Sequence, residues 1–170
     1  YDNEFEGHNF LKADIRRKSQ RHLIFATDDS LSLLAKAKTW YMDGTFKVVN
    51  KPFIQLFSIH AFINDNDNSK QVPLVYCLMS SRRTKDYRVC FMEILKLLND
   101  TSRPCKVDTI VLDFEKATWR ACFEVFPNVN IFGCFFHWCQ AILRKLRSLG
   151  LQTMYTNDVN VHNFCRRLFA

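Results

Sequence analysis

The sequence predicts an α/β (α+β) fold: a mixed sheet in which three antiparallel strands are extended by parallel strands through crossover helices. Three observations predict it. Apolar, β-branched and aromatic runs at 39–49 ("TWYMDGTFKVV"), 53–63 ("FIQLFSIHAFI") and 72–79 ("VPLVYCLM") are joined by short links, the pattern of an antiparallel meander. From residue 84 the rhythm changes to helix, strand, helix, strand, helix, the order that builds parallel strands through crossovers. A chain of 170 residues with 48 % hydrophobic content, including 16 Phe, supplies one sizeable core.

Each element has its own grounds. Residues 10–26 read as two short strands around a basic turn. The stretch "TDDSLSLLAKAK" (27–38) is an amphipathic helix that Thr27 or Asp28 can cap, with Leu31, Leu34 and Ala35 on one face. Lys51-Pro52 separates the first two core strands, and the polar "NDNDNSK" (64–70) the second and third. Residues 84–100 form a helix with Val89, Met92, Leu95 or Lys96, and Asn99 in one row, beside Phe91, Ile94 and Leu98. "VDTIVLDF" (107–114) is a compact strand ending on a carboxylate, and the helix at 115–126 is stopped by Pro127. "VNIFGCFF" (129–136) is the fifth core strand. The helix at 137–150 gathers Cys139, Ile142, Leu143, Leu146 and Leu149 on one side and ends at Gly150.

Charge narrows the partners. Lys and Arg exceed Asp and Glu to give a net charge of +7 and a pI near 9.1. That balance suits a polyanion, nucleic acid first and an anionic membrane surface second. The seven Cys are odd in number and scattered, so they read as reduced thiols of a cytosolic or nuclear protein. The longest apolar run, 131–143, is broken by His137 and Gln140, which excludes a membrane span there. Without a secretory signal and without an initial Met, the chain is expected to be a piece of a longer protein.

Two acids stand out. Asp43 interrupts an apolar strand, and Asp113 ends the fourth strand. A carboxylate within a core must be paired or must coordinate a metal. In a sheet ordered 3-2-1-4-5 the first and fourth strands are neighbours, so both acids would meet, and their repulsion calls for a cation between them. Mg²⁺ takes one or two carboxylates and completes its shell with water or phosphate oxygens. A pair of such ions stabilises both the attacking and leaving oxygens of a phosphodiester displacement. Two plainer roles compete: Asp113 as a helix N-cap and Asp43-Gly44 as a bulge or turn. Glu115 reads as an acid in the first turn of a helix. His60 reads as a hydrogen-bonded core or edge residue, while His8 and His22 sit in polar surroundings.

"WYMDGTFKVV", "PFIQLFSIHAF", "VPLVYCLMS", "LDFEKA" and "FGCFFHWCQAILRKL" together resemble the catalytic core of Mutator-like (MULE) transposases, in the subgroup often found beside FLYWCH zinc fingers. The resemblance covers about Phe10 to the end of the chain. It implies a ribonuclease H-like fold with a D-D-E metal triad in which Asp43 matches the first acid and Asp113 the second. It also implies Mg²⁺ or Mn²⁺ as cofactor, cutting and rejoining of transposon-end DNA, and a nuclear location. Flanking DNA-binding domains and assembly as a homo-oligomer are further implications. No membrane partner is expected. The third acid of the family is a Glu after a further helical segment. This chain has no Glu after Glu124, and its later acid is Asp158. The expected domains are therefore 1–38, an N-terminal strand and helix region; 39–150, an incomplete ribonuclease H-like core; and 151–170, the start of the helical segment before the missing acid. Cleavage of DNA by this stretch alone is not expected.

Cys134 and His137 match the C-x2-H signature of the family, which implies support of the active site. With His162 and Cys165 of "HNFC" they would make a Cys2His2 set for Zn²⁺, against the alternative of a packed Cys with a supporting His. Arg82, Arg83 and Lys85 between the third strand and its helix, and Arg144 and Lys145 on the solvent face of the 137–150 helix, are candidate DNA phosphate contacts. Arg147, Arg166 and Arg167 share that exposed basic character. The leading reading is a transposase catalytic core. The alternative is a domesticated, catalytically silent DNA- or protein-binding module of the same origin.

Overall fold

A basic hairpin comes first. Leu11–Arg17 (β1) and Gln20–Phe25 (β2) pair antiparallel as far as Arg17↔Gln20, leaving Lys18 and Ser19 as the turn, with Lys18 in the left-handed region at φ 52°. The computed structural model describes residues 9–65, 68–100 and 104–168. Thr27 then accepts a hydrogen bond from the Ser30 amide at 3.0 Å and caps helix α1 (Asp28–Lys36), which buries Leu31, Leu34 and Ala35 as its apolar spacing dictates.

Strands β3 (Thr39–Thr45), β4 (Gln55–Asp65) and β5 (Asn68–Met79) form the antiparallel meander. Alternation fixes their faces: Trp40 and Met42 are buried on one side of β3, while Tyr41 and Asp43 lie half-buried on the other. Pro73, which has no amide to donate, stands beside a register shift between Ile59 and His60. Helix α2 (Thr84–Asp100), strand β6 (Thr109–Leu112), helix α3 (Lys116–Val125) and strand β7 (Asn130–Gly133) follow. The seven-stranded sheet has the order β1-β2-β5-β4-β3-β6-β7, and β3 pairs β6 in parallel. The five core strands thus take the expected 3-2-1-4-5 order, with the hairpin added beyond β5. The mixed α/β architecture is that of a ribonuclease H-like fold.

Helices α1, α2 and α3 cover one face. Leu34, Phe91, Ile94, Leu98 and Cys122 join Trp40, Ile59, Val75 and Ile110 in a single buried cluster. Burying each such Leu, Ile or Phe side chain contributes roughly 1.5–3 kcal/mol. The Trp40 indole also donates to the Leu34 carbonyl at 3.1 Å, tying α1 to β3 through a fully buried polar bond.

Contacts divide the chain into one unit ending at Phe132 and another from Gly133 on. The second unit holds helices α4 (Phe135–Ser148), α5 (Gln152–Asn157) and α6 (Val159–Leu168). A Schellman motif closes α4: Gly150 at φ 71° donates to Arg147 O and Leu151 to Leu146 O, each at 3.0 Å.

Several boundaries differ from the sequence reading. β3 stops at Thr45, so Asp43 lies near the end of its strand and not in its middle, and exposed Phe46 and Val48 lie outside the sheet. The buried row of α2 is Tyr87, Cys90, Phe91, Ile94 and Leu98, while Met92 is exposed. α4 begins at Phe135, so the fifth core strand is shorter than expected and Phe135 and Phe136 open a helix. Leu149 is exposed, and Cys139, Ile142, Leu143 and Leu146 are only partly covered. β4 and β5 pair further than their apolar runs, out to Asp65↔Asn68, because backbone pairing does not need apolar side chains. His22, read as polar-surface, is buried inside β2. His8 and the centre of the 64–70 turn lie outside the described residues. All seven cysteines are free thiols, and no described helix is long and apolar enough to cross a membrane.

Candidate functional site

The parallel pairing of β3 with β6 runs from Thr39↔Thr109 to Met42↔Leu112. One step further along that register stand Asp43 and Asp113, at the carboxyl ends of adjacent parallel strands. Open α/β sheets present their ligand sites at this end. Both aspartates are half-buried, not sealed in the core as Asp43 was expected to be. Asp43 lies opposite Ser58 in β4, and its Oδ1 accepts the Gly44 amide at 2.8 Å. Its charge also acts on His60, which bonds Ser58 Oγ at 2.8 Å; burial still outweighs that charge and holds the imidazole below its ordinary pKa. His60 is therefore the hydrogen-bonded residue the sequence suggested.

Asp113 sits in the turn between β6 and α3. Its Oδ1 accepts the Glu115 amide at 3.1 Å, which resembles the capping role considered for it, although Glu115 occupies the N-cap position. The Trp119 indole donates to the Asp113 carbonyl at 2.6 Å and fixes the backbone there from one turn inside the helix. Phe114, exposed, stacks beside Trp119 with ring centroids 6.4 Å apart.

Glu115, read from the sequence as an acid in the first turn of a helix, stands instead at the N-cap position of α3. Its side chain makes no cap bond and instead accepts the Tyr87 hydroxyl at 2.9 Å. That hydroxyl accepts in turn from Gln55 Nε2 at 2.8 Å, so a buried relay runs from β4 through α2 to the carboxylate. Burial raises the Glu115 pKa, and the Asp113 charge adds to the rise, while Tyr87 and the Arg82 cation oppose it. Arg82 itself lies 4.5 Å over the Phe46 ring. Asp113, Glu115 and Arg82 thus form one electrostatic cluster. Gly44 lets this packing close: a Cβ there would stand 3.3 Å from Gln55 Oε1. The sequence signal was present in "LDFEKA", where two acids flank one residue, but the partner Tyr87 lies 28 residues away and no local pattern points to it.

Arg83 bonds the buried Asp86 through Nε at 2.9 Å, so its charge is spent structurally. Lys85 is exposed at the start of α2, and Arg144 and Lys145 are exposed on α4. Cys134 takes the N-cap position of α4 without a side-chain bond, and His137 follows within the first turn. His162 stacks on Tyr155 at 4.9 Å and Cys165 is the buried residue of α6. Asp158, the late acid, accepts the Asn160 and Val161 amides and caps α6. Among the described residues, no three His, Cys, Asp or Glu side chains are grouped to hold a metal ion. The oxygen donors of Asp43 and Asp113 match the chemistry of a hard divalent ion that needs one or two carboxylates and water.

No curated protein matches the chain. The MULE transposase domain family matches residues 39–141, more than half of the sequence, starting at the first residue of β3 and spanning Asp43, Asp113, Glu115, Cys134 and His137. The chain belongs to the MULE transposase domain family.

Proposed function

We propose that this chain is the DNA-handling core of a DDE-type transposase, in which Asp43 and Asp113 hold Mg²⁺ or Mn²⁺ against a DNA phosphodiester. The supporting observation is the parallel β3–β6 pairing within the family-matched span, which sets both aspartates at neighbouring strand ends. When bound, the metal supplies charge neutralisation for a phosphodiester displacement. The protein's own residues do the rest. Trp119 pins the Asp113 carbonyl, Gly44 turns the Asp43 carboxylate, and Arg82 stands as the cation beside Glu115. Cleavage and strand transfer of transposon ends belong to the complete protein, acting in the nucleus with flanking recognition domains and as an oligomer.

The alternative reading is a domesticated, catalytically inactive DNA- or protein-binding module of the same origin. Duplex DNA binding followed by fluorescence anisotropy, with Mn²⁺ and with EDTA, separates the two. The catalytic reading expects Mn²⁺ to tighten binding and Asp43→Asn to abolish that gain. Affinity indifferent to both would leave the binding module as the function.

A further inference from the structure

The cations of the first unit are unequally neutralised. Arg16 and Arg21 both bond Asp14, holding its carboxyl well below the usual carboxylate range, and Lys12 pairs with Asp28 at 2.7 Å. Arg83 is spent on Asp86, which also accepts from the Ser81 hydroxyl at 2.6 Å. Arg17, Lys18 and Lys85, like Lys36 and several other cations of this unit, form no ion pair with a described residue, and all three are exposed.

Those three cations do not point at random. They line one pocket of about 240 Å³ between the β1–β2 turn and the start of α2, together with Ser19, Gln20 and Asp86. Two segments more than sixty positions apart in the sequence converge there, and the hydrogen bond from the Arg21 amide to Ser80 Oγ, 2.8 Å, ties them together. The pocket's one carboxylate is already satisfied by Arg83 and Ser81, so its unbalanced charge is positive. Moreover, the connection from Ser81 to Lys85 serves two sites at once: Arg82 acts on Glu115 beside Asp113, while Arg83 and Lys85 face the pocket.

We infer that this pocket is a phosphate seat for the backbone of double-stranded DNA, holding a duplex beside the carboxylate site through Arg17, Lys18 and Lys85. The inference rests on the DNA reading above and adds to it a contact supplied by the β1–β2 hairpin, outside the family-matched span. Contacts of this kind give affinity and register without reading sequence.

The test uses the whole chain and a 20-base-pair duplex, with affinity measured from 50 to 200 mM salt. Lys18→Gly is the leading variant, because glycine accepts the left-handed backbone that lysine adopts at φ 52°, so folding is not compromised. Arg17→Ala with Lys85→Ala is the second variant, and Lys36→Ala, at the far end of α1, removes equal charge elsewhere. Lys18→Gly should weaken binding roughly three- to tenfold and reduce the log–log salt slope by about one, as the loss of one phosphate contact does. The double variant should lose about two from the slope. Inorganic pyrophosphate should compete only weakly; strong competition would mean a small-anion site and overturn the duplex. Wild-type affinity in the pocket variants, or an equal loss in Lys36→Ala, would overturn the pocket while leaving DNA binding in place. A wild-type chain that binds no duplex would instead remove the DNA reading itself.

Discussion

Two carboxylates two positions apart behave differently because their surroundings differ. Asp113 is held by backbone contacts at a turn, whereas Glu115 reaches back into a buried hydrogen-bond relay with Tyr87 and Gln55. Since the folded pKa of Glu115 is raised above its unfolded value, the folded state binds more protons in the window above the unfolded value. Stability from this group is therefore present at low pH and falls as pH rises through the folded pKa. NMR titration of the Glu115 carboxyl should find it high, and Tyr87→Phe should raise it further by removing the bond that favours the charged form. Tyr87→Phe should also cost about 1–3 kcal/mol in urea unfolding, the usual penalty for leaving a buried donor of Gln55 unpaired when its other partner is only the Met79 sulfur. Gly44→Ala tests the same packing from the other side. Its new Cβ crowds Gln55 Oε1 at 3.3 Å, and Gln55 is held by Tyr87, so a loss of roughly 1–3 kcal/mol is expected. His22 titrates with the opposite sense to Glu115. Burial lowers its pKa although Asp86 Oδ1 stands 3.6 Å from Nε2, so the folded state resists the proton that the unfolded chain accepts. Its contribution is present above the ordinary His value and is lost as pH falls below it. Replacing His22 with Leu should flatten the stability profile on the acid side of neutrality.

At the scale of elements, the strands and helices were legible because each carries its own period. The α1 face of Leu31, Leu34 and Ala35 was readable because these three recur at i, i+3 and i+4, and the remaining apolar Leu33 is only partly buried. The α2 face was legible only in part: Phe91, Ile94 and Leu98 were read beside the chosen row, while Tyr87 and Cys90 were not. Val89, Met92 and Leu95 offered a plausible row, and the choice in favour of Tyr87, Cys90, Phe91, Ile94 and Leu98 came from the ring packing of Phe57, Tyr87, Phe91 and Phe126. Such packing joins β4, α2 and the C-terminal end of α3 and leaves no local mark. The same holds at the site. Asp43 and Asp113 were legible, one as a charge in an apolar run and the other as a strand-ending acid, while Glu115 waited on a partner from α2. Phe135 and Phe136 looked like strand because aromatic pairs favour strands, yet Cys134 starts a helix there. Trp119 shows what an element adds to a residue: α3 carries the indole that fixes Asp113. Trp119→Phe keeps the ring but loses the 2.6 Å bond, and should weaken Mn²⁺ binding several-fold with little change in melting temperature.

Across the whole molecule the two compact units differ in how much they bury. The unit ending at Phe132 contains the sheet and the apolar cluster, whereas Cys165 is the one buried residue described for α4, α5 and α6. Elements with few buried apolar groups open at lower free energy. Hydrogen exchange should therefore find amides of α4–α6 exchanging well before those of β3, β4 and α2; equal protection would contradict this division. Positive charge is spread over both units, with a net +7 for the chain. The proposed metal site is the pair of acids at the β3 and β6 ends. It is tested most directly by isothermal titration of Mn²⁺ into the wild-type chain, Asp43→Ala and Asp113→Ala. The wild type should bind Mn²⁺, and either substitution should abolish that binding. Binding that survives both substitutions, or a wild type that takes up no Mn²⁺, would contradict this assignment.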